Sequence, residues 1–329
     1  MNAGRLRLAL AGDTMLGRGV GAVLAERPPA SLISPELTEI VQAADRFVLN
    51  LECCISERGR RWPDPGKPFF FRAPPAAVDL LVHLGVDAVT LANNHALDYG
   101  WEALLDTLEL LDGADIAHVG AGVDASSARQ AVELGGPVPL RMIGLTDHPR
   151  EYAAGEETPG VAWADLPLGV PAWVGDALRP GPDAITLATP HWGPNMTTVP
   201  LPYVQRAAAE LVGAGVSLVA GHSAHVFHGI QGRVAFDLGD FIDDYAVDPR
   251  LRNDLGILLL VDLAPSGPSR FELIPLELDY AHTRVARGEQ AAWVRRRLTS
   301  ACAEMGTEVS LTGDRLVVEV PVPGGVERS

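Results

Sequence analysis

Short apolar runs that stop abruptly at polar residues set the pattern of this chain. Residues 5–12 alternate and then turn fully apolar, which predicts a buried strand ending in Gly12-Asp13-Thr14-Met15. Residues 46–49 end in Asn50-Leu51-Glu52, and residues 86–92 end in Asn93-Asn94-His95. Residues 116–119, 138–145, 184–188 and 216–220 repeat the motif. The last two run into His191-Trp192-Gly193 and Gly221-His222-Ser223-Ala224-His225. Helical spacing fills the gaps at 17–25, 75–84, 101–111, 125–133 and 203–214, and at 35–44 with Ser34 as cap and Pro35 in the first turn. Apolar strands alternating with amphipathic helices predict an α/β fold with a largely parallel sheet. Beyond residue 230 strand follows strand, at 233–238, 256–263 and 270–278, which predicts antiparallel pairing. A helix over 289–303 and a hairpin over 308–311 and 316–320 close the chain.

In open α/β sheets, ligands bind where the carboxyl ends of the strands converge. Each polar residue there also has a purely structural reading. Asp13 could be an N-cap worth about 1 kcal/mol, an asparagine an Asx turn, a histidine a satisfied core residue. Together, however, Asp13, Asn50, Glu52, Asn94, His95, His191, His222 and His225 form a carboxylate–amide–imidazole set that packing does not require. This set is expected on one edge of one sheet. Glu52 is the hardest to explain by packing, because acidic side chains are seldom buried unpaired. Imidazoles mixed with Asp, Glu and Asn suit one or two borderline divalent ions, which activate water for hydrolysis. The chain lacks a Gly-x-Ser-x-Gly elbow, a phosphate-loop Gly-Lys-Ser/Thr and a Cys-x-x-Cys. Metal hydrolysis therefore stands ahead of nucleophilic or nucleotide chemistry.

Charge narrows the partners. The 329 residues include 42 acidic and 26 basic ones, a formal charge of −16, which argues against nucleic acid or an anionic membrane as main partner. A small-molecule or peptide-like anionic substrate stays open, since metal ions invert the local field. Three cysteines without regular spacing make no disulfide framework, and the N-terminus lacks a signal-peptide pattern, so a cytoplasmic location is expected. No apolar run is long enough for membrane insertion. Residues 58–74 are rich in Pro, Gly, Arg and aromatics and read as a loop folded over the site, with Arg72 able to hold a carboxylate or phosphate. Lys67, in the same loop, is the only lysine.

Several of these segments carry a family resemblance. Gly12-Asp13-Thr14-Met15-Leu16-Gly17-Arg18, Asn50-Leu51-Glu52, Phe71-Arg72-Ala73-Pro74 and residues 91–100 resemble the CapA capsule-synthesis (poly-γ-glutamate) family. So do His191-Trp192-Gly193, the Gly221–His225 segment and Asp237-Leu238-Gly239-Asp240-Phe241, all in order over about residues 5–278. That family looks like a branch of the calcineurin-like metallophosphoesterases. The resemblance implies a four-layer α/β/β/α sandwich of mixed sheets over residues 1–280, with a small helix-hairpin extension packed on it over 281–329. It implies Asp13, Glu52, Asn94, His191, His222 and His225 as metal ligands, with His95 or His225 moving protons. Arg72, Asn50, Trp192 and Asp240 would lie around the substrate. The implied cofactor is one or two divalent ions, manganese, zinc or iron. The implied activity is hydrolysis of a phosphate ester or an amide such as a γ-glutamyl bond, with a non-catalytic or ligating accessory role in polymer biosynthesis as the second reading. The chain also departs from the superfamily pattern. Met15 stands where a ligating histidine is usual, Asn50-Leu51-Glu52 replaces a Gly-Asp, and the Gly-His-x-His is stretched by one residue. Asp240 stands where the family shows asparagine and adds negative charge.

Overall fold

Alternation along the strands sorts the apolar side chains into three buried layers. The computed structural model describes residues 4–136, 138–179 and 184–320. The strand Leu6–Thr14 sends Leu8 and Leu10 to one face and Ala9 and Ala11 to the other. Leu8 and Leu10 share a cluster with Leu140 and Met142 of strand Leu140–Thr146, Leu187 of Ile185–His191 and Leu218 of Leu218–Ala220. Ala9 and Ala11 lie beneath helices Pro35–Gln42, Ala77–Leu84 and Gly100–Gly113, which supply Leu37, Leu80 and Leu104. Ile143, Ala188 and Val219 turn the opposite way, towards Val204 and Leu211 of helix Pro202–Gly213. The order is helices, sheet, sheet, helices: the expected four-layer sandwich.

In the first sheet, Leu6–Thr14, Arg46–Leu51, Ala88–Thr90 and Ala117–Val119 run parallel. On the other side of Leu6–Thr14, strands Leu255–Ala264, Gly267–Asp279 and Arg315–Glu319 continue antiparallel. The second sheet has Leu140–Thr146, Ile185–His191, Leu218–Ala220 and Val234–Ala235 in parallel. Among the described residues, no helix is long and apolar enough to cross a membrane.

Three expectations are corrected. The polar strand ends belong to two sheets, not one, because the chain leaves the first sheet after Ala117–Val119 and starts a second at Val132–Leu134. Strand periodicity records which way a side chain points but not which sheet the strand joins. The helix expected at 125–133 is a single turn, Ala125–Ala128, closed by an Asp124–Ser127 capping box, before an edge strand at Val132–Leu134. Pairing beyond residue 230 is mixed: Val234–Ala235 pairs antiparallel with Ile230–Gln231 but parallel with Leu218–Ala220, Asp240–Ile242 pairs parallel with Leu6–Thr14, and the first sheet turns antiparallel at Leu255–Ala264. At the C-terminus, helix Gly288–Glu304 places Val294, Leu298 and Cys302 in the cluster between the sheets, and Arg315–Glu319 extends the first sheet.

Candidate metal centre

The first sheet delivers its ligands through one close backbone contact. A Cβ at residue 12 would lie 1.8 Å from the Gly239 carbonyl oxygen, so only glycine lets strand Asp240–Ile242 approach Leu6–Thr14 here. Asp13 N–H then donates to Gly239 O at 2.8 Å, and Asp13 and Asp240 become register partners. On the other flank Asn50 pairs with Asp13, and its Nδ2 donates to Asp13 Oδ1 at 2.8 Å. Glu52 follows just beyond that strand and is fully buried.

The second sheet faces this row with imidazoles. His191 and His222 form a parallel bridge, with Trp192 N–H donating to His222 O and His222 N–H to Pro190 O. The chain then turns sharply, with positive φ at Ser223 (109°) and His225 (58°). Such conformations cost about 1–3 kcal/mol each and persist where the surroundings impose them. Here the buried Asp237 carboxylate imposes the turn by accepting from Ala224 N–H and Gly239 N–H, both at 2.8 Å. As a result, His222 Nδ1 and His225 Nδ1 each lie 3.3 Å from an Asp13 carboxylate oxygen.

Glu52 occupies the centre. His95 Nε2, His191 Nε2 and His225 Nδ1 all lie 3.9 Å from its carboxylate. Neither Glu52 oxygen has a hydrogen-bond partner among the described residues, and the same holds for Asn94 Oδ1, His191 Nε2 and Asp240 Oδ2. Asp13, Glu52, His225 and Asp240 bring one donor atom each to within 4.8 Å of one another. Buried polar atoms are rarely left unpaired, and unpaired buried carboxylates are more costly still. Burial, with the nearby Asp13 charge, pushes the Glu52 carboxyl well above the ordinary carboxylate range, and burial does the same to Asp240. Burial also opposes ionisation of Asp13, but hydrogen bonds from His222 and His225 outweigh it and hold Asp13 well below that range. His225 is desolvated too, yet the Asp240 and Glu52 charges raise it, whereas burial leaves His191 well below the usual imidazole value. A divalent cation among these groups would reverse the tension by favouring ionised carboxylates and neutral imidazoles. The donor set fits such an ion.

A cavity of about 490 Å³ opens beside this cluster, lined on one side by Trp62, Lys67 and Phe69 and on the other by Asn94, His95 and His148. His95 is buried, stacked on Phe71 at 3.9 Å between ring centroids, and its Nδ1 lies 2.6 Å from Asp98 Oδ2. Burial brings its pKa down to about 4 despite Asp98. Asp98 also accepts from Lys67 Nζ and Tyr152 Oη, each at 3.0 Å. The 58–74 loop is therefore tied to the residue that fixes His95.

The structure brings together Asp13, Glu52, His95, His191, His222 and His225, and sets Asn94 on the cavity wall beside them. None of the four residues expected around the substrate lines this cavity. Arg72 points away from the cavity, its Nη1 donating to Arg58 O and its guanidinium 4.1 Å above the Tyr99 ring. Trp192 is 3% exposed, packs with the outer core and donates Nε1–H to Phe236 O. Asn50 is wholly buried and orients Asp13, reaching His191 Nδ1 at 3.4 Å. Asp240 is 1% exposed and belongs to the ligand cluster, with Oδ1 2.9 Å from His225 Nδ1. Sequence reasoning missed Lys67 and Asp98 as part of the site. Their signals were a single lysine inside the aromatic loop and an acid three residues after His95.

Residues 7–245 match the family described as bacterial capsule synthesis protein PGA_cap. A probable polyglutamine synthesis accessory protein of Mycobacterium tuberculosis is 30% identical, the match covering 95% of each chain. The PGA biosynthesis protein CapA of Bacillus subtilis is 28% identical over 84% of this chain and 72% of its own. The capsule biosynthesis protein CapA of Bacillus anthracis is 25% identical over 83% and 68%. The chain belongs to the PGA_cap family of capsule and poly-glutamate biosynthesis proteins, a branch of the metallophosphoesterase superfamily.

Proposed function

We propose that this protein is a metal-dependent hydrolase that cleaves a phosphate ester or an amide such as a γ-glutamyl bond in an anionic substrate, within poly-γ-glutamate or related biosynthesis. One observation carries the reading: Asp13, Glu52, His225 and Asp240 bring buried donor atoms within 4.8 Å of one another, and both Glu52 oxygens and Asp240 Oδ2 have no hydrogen-bond partner among the described residues. Asp13, Glu52, His225 and Asp240 would hold one ion, and Glu52, Asn94, His191 and His222 a second; manganese, zinc or iron suits this set. A bound ion of this kind supplies Lewis acidity and a water ionised near neutral pH. Around it, Asp98 fixes the Nδ1–H tautomer of His95 and leaves its Nε2 to accept a proton and pass it on. Lys67, rather than Arg72, faces the cavity as the cation for an anionic substrate group. The loop carrying Lys67 limits water on that side.

Elemental analysis of the purified protein, with Asn94→Ala and His191→Ala alongside, tests the reading. We expect one or two equivalents of a transition metal in the parent, lost in both variants, and metal-dependent turnover of a phosphate-ester or γ-glutamyl panel. No metal uptake from manganese, zinc or iron would overturn it. A non-catalytic accessory role is the second reading, favoured by Met15, whose buried Sδ accepts from Gly17 N–H where the superfamily has a ligating histidine. That role predicts ligand binding unchanged in His191→Ala, with no turnover by either protein.

A further inference from the structure

Many arginines of this acidic chain lie against a carboxylate, as Arg295 does with Asp314. Arg297 is different. Its Nε and Nη2 are shielded from solvent and have no hydrogen-bond partner among the described residues. The guanidinium lies 5.5 Å from the centroid of Phe227 and 5.6 Å from that of Trp293. Burial lowers its pKa, although arginine keeps its proton in proteins. This half-buried guanidinium has no ion-pair partner among the described residues, and its planar fork is suited to a bidentate anion.

The space beside it is a cavity of about 460 Å³. Trp293, Arg296, Arg297 and Ser300 of the C-terminal helix form one wall, and Thr198 and Val199 form the other. Glu304 also contributes to the lining, against the two arginines. The facing loop comes directly from the metal centre. It leaves strand Ile185–His191, contributes Asn195 to the metal-centre cavity, and reaches this second cavity three residues later. Met196 N–H donates to Ala224 O, and Thr197 O lies 2.9 Å from His228 Nε2, so the loop is anchored to the turn that carries His222 and His225. One short loop thus borders both cavities.

We propose that the Arg296–Arg297 cavity is a second anion subsite, binding a carboxylate of a polyanionic chain whose reacting end lies in the metal-centre cavity. The proposal rests on the polymer-related reading above and adds how a chain, rather than a monomer, is held. Repeated carboxylates on one molecule turn two weak contacts into one tight one.

The test is binding of a fluorescein-labelled γ-linked glutamate oligomer to the full chain by fluorescence anisotropy. Monomeric glutamate and inorganic phosphate serve as competitors. Arg296→Gln with Arg297→Gln together is expected to weaken the oligomer about tenfold. Metal content and turnover of a small substrate should stay as in the parent. Arg297 packs on two aromatic rings, so its loss could loosen the helix. Arg296→Gln alone is exposed and is expected to cost about threefold. Unchanged oligomer affinity in both variants overturns the subsite while leaving the metal-hydrolase reading intact. Displacement of the oligomer by inorganic phosphate at equal ionic strength would make this a phosphate pocket and overturn the carboxylate assignment. Arginine-dependent oligomer binding by a protein that takes up no metal would instead retain the subsite and remove the hydrolase.

Discussion

Replacing Glu52 by glutamine should change stability in opposite senses with and without metal. Glutamine keeps the side-chain volume and removes a carboxyl that is fully buried, lacks a hydrogen-bond partner and sits beside the Asp13 charge. In the metal-free native state burial pushes this carboxyl well up, so the native protein binds a proton that the unfolded chain releases. Stability therefore falls as pH rises from the ordinary carboxylate range towards the raised value. Keeping a carboxyl of ordinary pKa about 4.3 protonated at pH about 7 costs at most about 3.7 kcal/mol. The buried amide has unmet hydrogen bonds of its own, so we expect Glu52→Gln to stabilise the metal-free protein by about 1–3 kcal/mol. For a chain of this size that corresponds to about 1–4 °C in midpoint. With metal the sense inverts. An ion at about a hundredfold its Kd stabilises the parent by about 2.7 kcal/mol, and a variant without the central carboxylate should not respond. Thermal denaturation in chelator and in manganese, on both proteins, reads all four values. A lower chelated midpoint for the variant, or equal metal shifts in the two proteins, would refute the reasoning.

Asp98→Asn should retain metal yet lower turnover about 10²–10⁴-fold, because it removes the charge beside His95 Nδ1–H and turns one acceptor oxygen into an N–H₂ that must face a donor. Normal turnover in that variant would take His95 out of proton transfer. Lys67→Met should raise KM for an anionic substrate by about tenfold and leave a neutral analogue unaffected; equal effects on both would make Lys67 a purely structural tie to Asp98. Far from the site, burial raises the Glu272 carboxyl, but hydrogen bonds from Arg315 and Arg270 and the Arg7 charge outweigh it and bring it to about 2. Its folded pKa is depressed, so the stabilisation is complete above the ordinary carboxylate value and is lost as pH falls towards 2. Glu272→Gln should thus cost about 1–2 kcal/mol at neutral pH after screening and almost nothing at the acid end, as followed by urea unfolding against pH. A pH-independent deficit would show that packing, not charge, holds this side chain.

The chemistry of the centre was legible along the chain because strand ends are local events. Gly12-Asp13, Asn50-Leu51-Glu52 and Gly221-His222 each place polar residues just past an apolar run, and no folded context is needed to see it. Glu52 in particular declares itself, since a carboxylate directly after a buried strand and before two cysteines has no packing role. The four-layer order followed from the family resemblance, and the three buried layers agree with it. Other features depended on contacts between distant segments. Whether His191 lies beside Asp13 or across from it depends on which sheet its strand joins, and periodicity carries no information on that. Trp192 and Arg72 share motifs with site residues yet turn to Phe236 and Tyr99, because neighbours in a strand or loop point to opposite sides. Lys67 and Asp98 lie 31 residues apart, and Arg297 and Thr198 lie 99 apart. Their meeting is a property of folded loops. The sequence by itself determined which ligands this protein can offer an ion; the tertiary structure decided which side chains share that ion's surroundings and which fill the core. Ligand chemistry resides in single residues, whereas burial and distance exist only between them.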